Sequence, residues 1–104
     1  MIKVKVIRNQ DDGFKSITIS GHAYSGEPGF DLVCAGVSAI VFGTLNALSL
    51  KSKPMPEVKV NEKDNALVEI KNIKDKKSQE ILEIMLIQLS SVEESYKEYI
   101  SIID

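Results

Sequence analysis

The 104-residue sequence predicts a small single α+β domain over residues 1–104, in the order ββαββα, with two helices on an antiparallel or mixed sheet. Three observations carry this expectation. Four short runs alternate apolar and polar residues with a period of two, an uncharged run of helix length separates the two pairs, and a helix-period apolar stripe follows the last pair. A hydrophobic content of 43% with 27% charged residues is ordinary for a folded domain and far from the composition of disorder.

The first strand runs from Ile2 to Arg8, where Ile2, Val4 and Val6 alternate with Lys3 and Lys5. Asn9 to Gly13 is a cluster of turn formers, and Phe14 to Ser20 resumes the alternation through Ile17 and Ile19, so the pair reads as a hairpin. Gly26, Pro28 and Gly29 resist both helix and ladder, which makes Ala23 to Phe30 a loop. Asp31 is placed to cap a helix from Leu32 to Leu50, expected to be buried on most sides because the run holds no charge. Pro54 and Pro56 end it.

Glu57 to Asn61 and Ala66 to Lys71 form the second strand pair, alternating through Val58, Val60, Val68 and Ile70 around a turn at Glu62 to Asn65. From Ser78 to about Ile100, residues Ile81, Leu82, Met85, Leu89, Val92, Tyr96 and Ile100 share one helical face, and Glu80, Glu83, Glu94, Lys97 and Glu98 point away from it.

Charge and composition exclude several functions. The net charge is −2 with both signs interspersed, so no basic field exists to hold a phosphate backbone, and no direct nucleic-acid contact is expected. Leu32 to Leu50 has the length of a membrane span, but Gly36, Ser38, Gly43, Thr44, Asn46 and Ser49 dilute it, so no membrane partner is expected. The opening residues read as a strand and not as a secretory signal. A lone cysteine cannot form an internal disulfide, which fits a reducing cytoplasm.

Chemistry concentrates in the stretch GHAYSGEPGFDLVCAGVS, residues 21 to 38, which holds the only histidine, His22, and the only cysteine, Cys34. With the helix beginning at Leu32, Cys34 falls in its first turn, where unpaired N–H groups and the helix dipole favour a thiolate. His22, at the end of the preceding strand, is then a candidate general acid/base. The same thiol also reads as a buried structural cysteine on an uncharged helix. Asp31 either caps the helix or orients His22, and Ser38, one turn beyond Cys34, shares its face. Gly21, Gly26 and Gly29 give the intervening segment the freedom to close over a substrate or to supply N–H donors to an oxyanion. One cysteine and one histidine leave a tetrahedral zinc site two ligands short, so neither a metal nor a cofactor is expected.

The GHA at 21–23, the glycine-containing loop and the DLVCAGVS at 31–38 together resemble the ribosomal-processing cysteine proteases, small bacterial enzymes. The resemblance covers most of the chain, and Gly36 departs from a frequent alanine. It implies a cytoplasmic homodimer that removes the N-terminal extension of a large-subunit ribosomal protein after an aromatic residue. It also implies that His22 and Cys34 are the catalytic pair, with Asp31 and Ser38 in supporting positions. Two other classes remain open: a ribosome-associated factor that binds the same protein without cutting it, and another cysteine-dependent acyl transfer.

Overall fold

The computed structural model describes residues 1–21, 28–61 and 67–104, and of residues 28–31 the backbone alone. Strands β1 (Ile2–Arg8) and β2 (Phe14–Ser20) form the expected hairpin, with Val4 opposite Ile19 and Val6 opposite Ile17. Its turn closes through the Asn9 N–H donated to the Gly13 carbonyl at 2.7 Å, with Asp12 in the left-handed region at φ 70°. Aspartate tolerates that region better than most side chains. Helix α1 (Pro28–Lys51) leads to β3 (Glu57–Asn61) and β4 (Leu67–Lys71), then helix α2 (Lys76–Ser95) and β5 (Ile100–Ile103). The turn expected at Glu62 to Asn65 lies outside the described residues.

The strands line up as β3-β4-β2-β1-β5. All neighbours are antiparallel except β1 and β5, so the sheet is mixed. Ile2, Val4, Val6, Ile17, Ile19, Val68 and Ile70 fill the core from the sheet, while Lys3, Lys5 and Lys59 stand exposed. From α2, Leu82, Met85 and Leu89 are fully buried, each stabilising the fold by about 1.5–3 kcal/mol relative to an exposed side chain. Gln79 ties the start of α2 to β2, accepting the Phe14 N–H at 2.8 Å and donating to the Phe14 carbonyl at 3.0 Å. The buried Ser78 hydroxyl donates to that of Ser52 at 2.7 Å, joining the two helix ends without an orphaned polar group.

Three boundaries or surroundings differ from the sequence reading. First, α1 begins at Pro28, so Pro28 to Phe30 are helical and Asp31 is the fourth helical residue, not the cap. Proline suits a first helical position because its fixed φ is already helical and its missing N–H would have had no partner there. Second, α1 is not buried on most sides. Only 28% of Leu32–Lys51 is buried. Val33, Val37, Val41, Thr44 and Leu48 face the core, whereas Leu32 and Leu50 are 63% and 71% exposed. A two-layer domain covers one side of each helix and leaves the other open, whatever its composition. By length and composition that segment passes as a membrane span, and its Val33, Val37, Val41 and Leu48 pack into the domain core.

Third, α2 stops at Ser95 and Ile100 belongs to β5. Tyr96 leaves helical geometry at φ −136°, ψ 50°, and Tyr99 N–H returns to the Tyr96 carbonyl at 2.9 Å to close a turn. The chain then lays Ile100 beside Ile2, covering an edge of β1 that would otherwise lack partners. Ile100 sits at helical spacing from Tyr96 and also alternates with Ile102, so its sequence context suits both states.

Candidate active site

The site is assembled where α1 passes over one end of the sheet. Val60, Val68 and Ile19 lie opposite one another across β3, β4 and β2, forming one cross-strand row that faces the helices. Along α1, Cys34, Val37, Ser38, Val41 and Phe42 recur at helical spacing and meet that row. Between them is a cavity of about 260 Å³, lined mainly by apolar side chains, with Cys34, Ser38, Asn61 and Gly21 on its walls. Pockets that enclose a whole small ligand usually run to about 300–1,000 Å³, so this one takes a single side chain.

Gly21 fixes the end of β2 at the cavity wall. Its φ is +103°, and a Cβ there would overlap the carbonyl oxygen of Met1 and approach the Ile2 Cα to 3.1 Å. Only glycine satisfies both the dihedral and the contact. The positive φ at the residue before His22 therefore requires glycine.

The predicted site residues divide into three groups. Cys34, Ser38 and Gly21 are brought together around one cavity. Gly29 and Asp31 lie in the first turn of α1, so Gly29 is helical and not part of a loop. His22 and Gly26 lie outside the described residues. Cys34 is half-buried and is the seventh residue of α1, one turn later than expected. Among the described residues, no three His, Cys, Asp or Glu side chains are grouped to hold a metal ion.

Several lining residues were not singled out from sequence: Phe42 on the helix, Val60 and Asn61 on β3, and Leu67 and Val68 on β4. The alternation that marks Val60 and Val68 as strand residues was visible. Their meeting with Cys34 depends on strand order, which no local pattern encodes.

The half-buried thiol of Cys34, carried by the core helix, thus lies on the wall of an apolar cavity of side-chain size. The chain belongs to the family of the cysteine protease Prp, whose family model matches residues 1–101. It is 35% identical over 103 residues to the ribosomal processing cysteine protease Prp of Bacillus subtilis strain 168, covering 94% of this chain and 92% of that one. It is 33% identical over 101 residues to the Staphylococcus aureus strain Mu50 protein of the same name, covering 96% and 95%. The crystal structure of the essential S. aureus protease with a covalently linked product peptide superposes with a TM-score of 0.85 at 32% identity, covering 99% of this chain and 98% of that one.

Proposed function

We propose that this cysteine protease removes an N-terminal extension from a large-subunit ribosomal protein in the cytoplasm, with Cys34 as nucleophile and His22 as general acid/base. The observation that carries the reading is that Gly21, the residue bonded to His22, lines the same cavity as Cys34. Consecutive Cα atoms are only about 3.8 Å apart, so His22 is one peptide unit along the chain from a residue on that cavity's wall, which supports pairing it with Cys34. The names of the relatives supply the substrate class, and the covalently linked product peptide of the S. aureus protein supports a peptide substrate.

In this mechanism His22 takes the Cys34 proton and the sulfur attacks the scissile carbonyl carbon. The tetrahedral intermediate collapses, the C–N bond breaks, and the imidazolium of His22 protonates the departing amine. Water, deprotonated by His22, then attacks the thioester to release the acid and restore the thiol. Asp31, in the first turn of α1, orients His22 in this reading. Ser38 lies one turn after Cys34 on the same cavity wall, which supports a role in contacting the bound peptide. The apolar cavity suits an aromatic residue before the scissile bond.

The enzyme acts as a homodimer joined through the outer face of its helices. Ala39 and Gly43 of α1 and Ile84 of α2 border a shallow groove, and Ile84 and Ile87 are 57% and 59% exposed. The groove itself is lined by uncharged residues and is better covered than wet. The decisive experiment is mass spectrometry of the ribosomal protein after incubation with wild type and with Cys34→Ala. A shortened protein is expected with wild type only; an uncut protein with both rejects the reading.

A further inference from the structure

We propose that the substrate's main chain docks as an added strand along the free edge of β3, an inference that rests on the peptidase reading and deepens it. β3 ends the strand order, and among the described residues no strand pairs with its outer edge. That edge adjoins the thiol's cavity, because Val60 and Asn61, the last two residues of β3, line the same space as Cys34. The opposite edge belongs to β5, four strand spacings or about 19 Å away. Among the described residues, none from β5 lines the cavity.

The burial pattern points to the same edge. Val60 lies opposite Val68, so both side chains face the helix layer. Val68 is 7% exposed, whereas Val60 is 44% exposed. The result is an apolar step running from the strand edge into the cavity, with Phe42, 44% exposed, on the helix side. An extended peptide fits both features at once. Its backbone supplies the N–H and C=O partners that an edge strand lacks, and its alternate side chains reach the inner face, where one enters the cavity. A helical ligand would satisfy the step and leave the edge unpaired.

The test uses a synthetic peptide spanning the processing site of the ribosomal protein, N-methylated at one backbone position at a time. Strand pairing predicts that KM rises about five- to tenfold at alternate positions and stays unchanged between them, since each lost hydrogen bond is worth about 1 kcal/mol. A flat profile, with the unmodified peptide cut normally, overturns the docking mode and leaves the peptidase reading intact. Hydrogen exchange on Cys34→Ala with the same unmodified peptide decides the matter without catalysis. Protection of the amides of Glu57–Asn61 supports the proposal even where no peptide is cut, and protection confined to other segments overturns it.

Discussion

Arg8 holds both carboxylate oxygens of Asp104, with Nε donating to Oδ1 and Nη2 to Oδ2, each at 2.8 Å. The same guanidinium donates to the Asp12 carbonyl and lies 4.6 Å over the Phe14 ring, so one side chain joins the hairpin turn to the residue after β5. The hydrogen bonds from Arg8, reinforced by its charge, hold the Asp104 carboxyl below its usual range. A group depressed in the folded state stabilises the fold above its unfolded pKa and loses that contribution as the pH falls through the folded value. Asp104→Asn should therefore lower stability at pH 7 by up to about 1 kcal/mol, the pair being partly exposed. Wild type and variant should converge as the pH drops below about 3.9. Melting curves over a pH series check this, and a difference independent of pH would reject it.

His22→Ala should reduce kcat by about 100-fold or more while leaving the melting temperature close to wild type, because leaving-group protonation is lost. It should also slow alkylation of Cys34 by iodoacetamide at neutral pH, since the thiol lies beyond the first turn of α1 and depends on a base. An unchanged alkylation rate would mean that His22 does not activate the thiol.

Glycine replacements at two positions should have opposite signs. Gly21→Ala places a methyl group against the Met1 carbonyl at φ +103° and should destabilise by about 2 kcal/mol or more, with turnover falling as the cavity wall shifts. Gly36→Ala meets nothing within 4 Å inside a helix and should stabilise by up to about 1 kcal/mol without changing activity. Thermal denaturation beside peptide cleavage separates the two.

Charge on the helix layer should prevent pairing of two copies. Ile87→Glu, on an exposed position of α2, is expected to sediment as a monomer with an intact fold, whereas wild type sediments at twice the mass. A monomeric wild type at micromolar concentration would refute the dimer.

The elements that sequence located well are those whose signal is local. β1, β2 and β3 begin and end where the alternation does, and the prolines at 54 and 56 stop α1 within a residue of Leu50. The failures arise where tertiary pairing decides. Ile100 fits a helix stripe and a strand equally well until β1 offers it an edge. Asp31 looks like a cap only while Pro28 is read as a breaker and not as a first helical residue. Cys34 was identifiable by residue type and company, but its cavity was not, because Val60, Val68 and Ile19 become neighbours only through the sheet order.

The parallel pairing of β1 with β5 also ties the site to a distant part of the chain. Ile2 pairs beside Ile100 and donates to the Tyr99 carbonyl at 2.8 Å, joining segments far apart in sequence. Such a contact between distant parts of the chain closes late in folding. Ile2 lines the thiol's cavity, and Gly21 packs against the backbone of Met1 and Ile2, so the wall beside Cys34 becomes firm only when the final strand has docked. A change that loosens β5 would therefore be felt at the thiol's cavity without touching any residue of α1.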